Sequence, residues 1–340
     1  MLNSVTAYKN VTPYRQIHFT GNKKASALSS EALKIADKVS ISNLEQHLNA
    51  LTDPKTEGRG VGQKGIEIAK NYIANKFKQY GLKPVEELGL NDYFQNFIMS
   101  QYSTRSIRYG NNINGSINIL DSNVKAITSN VLGMIKGSEH PDEFVIIGAH
   151  YDHLGKDAKK NIFFPGADDD ISGIAAMMEI ANIMTKQLPP KKSIIFAALT
   201  GEEASFMGAN KLSKELLSKG IAKKTEVLNL EMLGGAGGNK LDIWDQGNNA
   251  AKNLVDTLEE AGNFINTKTQ IHHQIDPGSD AQKFNSNGIP AVCVAWDFYL
   301  NGNHPYYHTA QDTSEKINKN VFKEAVRILT AASYLLANKL

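Results

Sequence analysis

The sequence predicts an α/β fold, a three-layer sandwich with a mostly parallel, mixed central sheet. Three observations carry that expectation. Residues 144–149, 193–199 and 291–296 are short, nearly continuous apolar runs, the composition of strands buried on both faces. Helical stretches alternate with them, and strand–helix alternation on this scale builds a parallel sheet covered by helices. The chain has 340 residues, 41% of them hydrophobic, enough for one large core.

Residues 1–28 carry scattered aromatics without a period and read as an extended surface arm. Ala32, Leu33, Ile35 and Ala36 give helical spacing over 29–39. Ser42-Asn43-Leu44-Glu45 is a capping-box pattern, with Ser42 as N-cap of a helix running to Leu51. Thr52-Asp53-Pro54 breaks it. The glycine-rich Gly58-Arg59-Gly60-Val61-Gly62 has no Lys-Ser/Thr after it and no strand before it, so it is not read as a phosphate loop. Ile66, Ala69, Ile73, Phe77 and Tyr80 set one face of a clear helix, with Gly81 as its stop. Strand-like runs at 94–99, 117–120 and 130–135 follow, joined by Asn/Gly/Ser turns. Beyond 144–149 the expected helices are 174–188, 205–219, 250–261 and 319–337. The expected strands are 193–199, 226–232, 241–245 and 291–296.

Formal net charge is +2, from 37 basic and 35 acidic side chains, and no strongly basic surface points to nucleic acid. No apolar stretch approaches the length of a membrane span. The first residues lack the basic-then-apolar pattern of a secretion signal. The lone cysteine, Cys293, lies in an apolar run and reads as a buried strand thiol, which excludes an internal disulfide framework.

In open α/β sheets a site forms beyond the carboxyl ends of the strands. The first buried run ends in His150-Tyr151-Asp152-His153, the second in Thr200-Gly201-Glu202-Glu203, the third in Asn229-Leu230-Glu231-Met232. His304-Pro305-Tyr306-Tyr307-His308-Thr309 follows the last across a loop. Asp168, Asp169 and Asp170 lie on the first strand's connection, between a glycine turn and a helix. Singly, each has an ordinary explanation, since Asp caps helices and forms turns and Glu suits a helix start. Glu231 in an apolar run is more demanding, because a carboxylate there must be paired or metal-bound. Ligand-type side chains at four successive strand ends together point to a metal centre. Imidazole with carboxylate suits Zn²⁺, and two His with three carboxylates exceed the three protein ligands typical of one hydrolytic zinc. They fit two zincs sharing a bridging carboxylate, an arrangement that clamps a water as hydroxide and polarises a carbonyl.

The motifs His150-x-Asp152, Gly166-Ala167-Asp168-Asp169-Asp170-x-Ser172-Gly173, Glu202-Glu203 and Tyr307-His308-Thr309-x-Gln311-Asp312-Thr313 resemble those of the di-zinc aminopeptidases of clan MH. That group includes bacterial leucine-type aminopeptidases, glutamate carboxypeptidase and, more distantly, glutaminyl cyclase. The resemblance runs from about Gly58 to the C-terminus. It implies a zinc-exopeptidase fold, two Zn²⁺ per chain and peptide substrates. It further implies that Asp169 bridges the metals, that His150 and Glu231 complete one site, and that Glu203 and His308 complete the other. Glu202 would be the general base, and Asp152 would accept the second ring N–H of His150. The remaining histidines read as surface or supporting groups outside the ligand set, with His153 and His304 as candidates to line the pocket. Glu231 departs from the Asp of the best-known members, and Gly278-Ser279-Asp280-Ala281 lacks the His that many relatives carry after that Asp.

The domain division expected from this resemblance is an N-terminal arm with packed helices over 1–57 and a catalytic domain over 58–340. The interval 88–137 is too short for a protease-associated insert. Trp296, Phe298, Tyr299, Tyr306 and Tyr307 are candidates to line a pocket that prefers apolar or aromatic side chains. A secreted or periplasmic location is implied by the relatives alone. Three other readings compete. A carboxypeptidase would need a cationic anchor such as Arg105 or Arg108, a glutaminyl cyclase would use one zinc, and a non-enzymatic binding protein would usually have lost ligands or the base.

Overall fold

A computed structural model describes residues 27–99, 103–108, 113–120, 125–157, 160–298 and 302–339. Residues 1–26 of the expected arm and Tyr299 lie outside them, and the last two residues of that arm, Ala27 and Leu28, are helical. The chain opens with helices α1 (Ala27–Ala36), α2 (Ile41–Thr52) and α3 (Lys64–Tyr80). Strands β1 (Phe94–Met99), β2 (Ser103–Arg108), β3 (Ile113–Leu120), β4 (Ala126–Ile135) and β5 (His140–His150) follow. After the two-residue strands β6 (Lys156–Asp157) and β7 (Ile162–Phe163) comes α4 (Gly173–Met184). Then β8 (Lys192–Leu199), α5 (Met207–Ser218), β9 (Thr225–Leu230), β10 (Lys240–Trp244) and α6 (Lys252–Ile265) alternate. The last elements are β11 (Lys268–His272), α7 (Ala281–Ser286), β12 (Ala291–Trp296) and α8 (Lys319–Asn338).

Eight strands form the central sheet in the order β1-β4-β8-β5-β9-β12-β10-β11. The four central strands, β8, β5, β9 and β12, are mutually parallel. β1, β4 and the β10–β12 pair supply the antiparallel contacts. Because side chains alternate along a strand, β5 sends Val145, Ile147 and Ala149 into one apolar layer with helices α1 to α4, α6 and α8. It sends Phe144 and Ile146 into the other, with α5 and α7. Both faces are covered, hence the continuous apolar runs. Cys293 is buried in the second layer.

The N-terminal helices are bound into this frame. Ser40, not Ser42, caps α2, its side chain accepting from the Asn43 N–H. The buried Glu179 of α4 accepts from the Ser40 N–H at 2.9 Å and from Asn43 Nδ2 at 3.0 Å. Gly81 ends α3 in the left-handed conformation, φ 86°, where glycine carries no Cβ penalty. The short elements β2, β11 and α7 had no counterpart in the sequence reading.

Candidate metal centre

The parallel run β8-β5-β9-β12 brings four strand ends to one edge, and the charged side chains collect there. His150 is the last residue of β5, Glu231 follows β9, and Glu202 and Glu203 follow β8. All four are buried, as are Asp152, His153, Asp168, Asp169, Asp170 and His308.

The acidic triplet divides into three roles. Asp170 binds two strand ends together, accepting from the His150 N–H at 3.3 Å, the Gly173 N–H at 3.1 Å and the Met232 N–H at 3.1 Å. Asp168 accepts from the Gly234 N–H at 2.8 Å and pairs with His304 Nδ1. Asp169 faces inward. Its Oδ1 lies 3.2 Å from His150 Nε2, and its Oδ2 lies 3.3 Å from His308 Nε2. The backbone of the triplet is held from outside, because Asp312 accepts the Asp168 N–H at 2.9 Å and the Asp169 N–H at 3.1 Å.

Two donor groups therefore meet at Asp169. The first contains His150, Asp169 and Glu231, with His150 Nε2 3.6 Å from Glu231 Oε2. The second contains Asp169 Oδ2 and Glu203 Oε1, with His308 Nε2 3.3 Å from each. His153 also enters this second group, its Nδ1 3.1 Å from Glu203 Oε1 and 3.6 Å from Asp169 Oδ2. Every residue expected in the metal set is thus drawn together, and His153, a candidate pocket residue outside that set, joins them.

Asp152 supports the site through both its backbone and its side chain. The His150 Nδ1 partner at 3.0 Å is the main-chain carbonyl of Asp152, with a carboxylate oxygen further off at 3.7 Å. The carboxylate instead accepts the Glu202 N–H at 3.2 Å and the Glu203 N–H at 3.3 Å. It shapes the Glu202–Glu203 turn, and the backbone beside it fixes the His150 ring.

Arg59, from the glycine-rich stretch, lies fully buried under the site. Its guanidinium donates to the carbonyls of Tyr151 at 2.8 Å, Leu51 at 2.9 Å, Pro165 at 2.5 Å and Gly166 at 3.0 Å. Burial lowers its pKa to about 10, with Asp312 and Asp169 opposing, so it stays charged at neutral pH. Arg105, named from the sequence only as a candidate anchor for a substrate carboxylate, is a second cation at the site. Its Nε donates to Glu203 Oε2 at 2.8 Å and its Nη2 to the Glu202 carbonyl at 3.2 Å.

The aromatic residues do not act as one wall. Trp296 is fully buried and its indole N–H donates to the Gly237 carbonyl at 2.9 Å, so it is core. Phe298 packs edge-on to Trp244. Tyr307 stacks on His308 with ring centroids 3.8 Å apart.

On protein charges alone the cluster behaves as a receptor for cations. Burial would lower His308, but Glu203 and Asp169 outweigh it and push it up to about 11. Burial would raise Glu203, yet His308 and His153 hold it below the usual carboxylate range. Among the described residues neither ring nitrogen of His153 nor Asp169 Oδ2 has a hydrogen-bond partner, an expensive state for buried polar atoms. Mixed imidazole and carboxylate donors with unpartnered atoms turned inward fit Zn²⁺.

The profile of Peptidase family M28 matches residues 130–333. In sequence the chain is 29% identical over 233 residues to aminopeptidase YwaD of Bacillus subtilis, covering 64% of this chain and 47% of that protein. It spans about half the length of the sequence relatives it matches. In structure it is similar to BSAP, a zinc aminopeptidase from Bacillus subtilis, with TM-score 0.71 and 18% identity over 88% of this chain and 96% of that one. It is also similar to a Bacteroides thetaiotaomicron glutaminyl cyclase bound to N-acetylhistamine, with TM-score 0.64 and 17% identity over 87% and 97% of the two chains.

Proposed function

The chain belongs to peptidase family M28, and on that premise we propose that it is a two-zinc aminopeptidase that removes N-terminal residues from peptides. The observation that carries this reading is Asp169, whose two carboxylate oxygens face two separate donor groups. In the reading, His150, Asp169 and Glu231 hold one ion, and Asp169, Glu203 and His308 hold the other. Zinc at such a centre supplies Lewis acidity and an acidified water.

The chain's own residues supply the proton transfer and the alignment. Glu202 is the general base. Burial, reinforced by the charges of Glu203, Glu231 and Asp280 and opposed by His150, raises its pKa well above the ordinary carboxylate range. A carboxyl whose proton is held more firmly than usual suits a group that takes a proton and returns it to a leaving nitrogen. Asp152 aims this side chain by binding the two backbone N–H groups of the Glu202–Glu203 turn. Asp312 and Arg59 fix the loops that carry Asp169 and His153.

Arg105 bears on the carboxypeptidase alternative. Its Nε and Nη2 are engaged by Glu203 and by the Glu202 carbonyl, not turned outward as an anchor for a substrate carboxylate. The test is zinc content with release of aniline from aminoacyl anilides, expected at about two zincs per chain. A zinc-replete chain inert to a broad peptide library would sink the reading. Cyclisation of an N-terminal Gln peptide without hydrolysis would replace it with a cyclase. Export to the periplasm or the exterior belongs to the same proposal and is checked by fractionation. No helix among the described residues is long and apolar enough to cross a membrane.

A further inference from the structure

We propose that His153 is a further metal ligand, so that the second ion is held by four protein donors, His153, Asp169, Glu203 and His308, and the first by three. This deepens the two-zinc reading and rests on it.

The other imidazoles at this edge are oriented by a second contact. His150 Nδ1 meets the Asp152 carbonyl at 3.0 Å, and His308 Nδ1 meets the Ser106 carbonyl at 2.9 Å. His304 uses one nitrogen on Asp168 and the other on the Trp296 carbonyl. His153 is fully buried and, among the described residues, has no hydrogen-bond partner on either nitrogen. Its position is set by shape. A Cβ on Gly166 would lie 2.5 Å from His153 Cδ2 and 2.6 Å from its Cγ, so this glycine is what admits the ring. Arg59 fastens the carbonyls of Tyr151 and Gly166 to one guanidinium and so holds the two loops at that spacing.

The ring held this way approaches the two oxygens that His308 approaches. His153 Nδ1 is 3.1 Å from Glu203 Oε1 and 3.6 Å from Asp169 Oδ2, and His308 Nε2 is 3.3 Å from both. The two rings meet edge to face, 5.8 Å between centroids at 64°, and converge on the oxygens without stacking. His150 and His153, three residues apart, thus serve different ions. Closed four-donor zinc sites characterise tight structural binding, whereas three-donor sites keep a position for water or substrate. The second ion is then the retained one and the first the exchangeable one.

The test is a zinc titration of the metal-stripped full chain against a competing chelator, with zinc K-edge X-ray absorption on the loaded wild type. Two affinity classes are expected. His153→Ala should weaken the tighter class by at least about tenfold, since even loss of an outer partner costs 10–100-fold, and leave the weaker class unchanged. Absorption should show three imidazoles per zinc pair. Unchanged affinities in His153→Ala with two imidazoles per pair would overturn the proposal and leave the two-zinc reading standing. A wild type that takes up one zinc or none would overturn both. Should the variant not fold, the imidazole count on the wild type decides alone.

Discussion

His47 and His153 are both fully buried, yet their ring nitrogens meet different company. His47, between α2 and α3, has Nδ1 2.9 Å from the Tyr72 hydroxyl and Nε2 2.9 Å from the Tyr80 hydroxyl. A neutral imidazole offers one donor and one acceptor, and two hydroxyls can satisfy both. Burial, with a small push from Lys76, drops its pKa to about 3, so the ring stays neutral. His153 has no such partners and faces carboxylates. Burial alone is therefore a poor sign of function in a histidine. What the nitrogens face separates an imidazole that completes the core from one turned towards carboxylates.

If the two regions differ in this way, perturbing the strand-end cluster should alter chemistry and metal binding, and perturbing the His47 cluster should alter stability only. The largest effect is expected from Glu202→Gln, which should cut turnover by about 10²–10⁴-fold while zinc content is kept. Near-normal turnover in steady-state assays would remove Glu202 from the base role. Next is metal removal. Chelating zinc that was present at about 100 times its Kd should lower the unfolding free energy by about 2.7 kcal/mol, read by urea titration. His47→Leu should show the same chelation effect, because its cluster has no part in metal binding.

His47→Leu itself removes the partner of two half-buried tyrosine hydroxyls and should cost about 1–2 kcal/mol in all, with zinc affinity unaltered. Altered zinc affinity in that variant would erase the distinction between the regions. The smallest expected effect is on pH. The folded-state pKa of His47 lies below its ordinary value of 6.5, so the unfolded chain takes up this proton first. The contribution is complete above pH 6.5 and declines as pH falls towards about 3. Between pH 7 and pH 5 the wild type should lose about 1–2 kcal/mol from this group, a loss that His47→Leu should not share.

Much of the frame was legible because its signals are local. The two-sided burial of β5, β8 and β12 is written as apolar runs, and α3 shows its face and its Gly81 stop within seventeen residues. β2 was invisible because Ser103-Thr104-Arg105-Ser106-Ile107-Arg108 has neither alternation nor an apolar run. The start of α2 was misplaced because Ser40 and Ser42 both precede helix-forming residues, and the choice is made by Glu179, distant in sequence. That His150, Asp169, Glu203, Glu231 and His308 gather at one sheet edge could be expected from residue type and place. His153 could not, since its position depends on a missing Cβ at Gly166 and on a guanidinium ninety-four residues upstream. Trp296, one of the candidate pocket aromatics, packs into the core, because an aromatic's place in the sequence gives no hint of which way its ring turns.

Arg59 lies well before residue 130, where the family match begins, and just inside the expected boundary at 57/58. One of its four carbonyl partners, Leu51, lies on the far side of that boundary. A fragment trimmed to the matched residues would carry His150, Asp169, Glu203, Glu231 and His308 but not the cation beneath their loops. Shared sequence marks where the reactive groups are written. The mechanical unit that keeps them in register reaches back into helix α2, and it is this larger piece that would have to be transplanted, truncated or expressed as one.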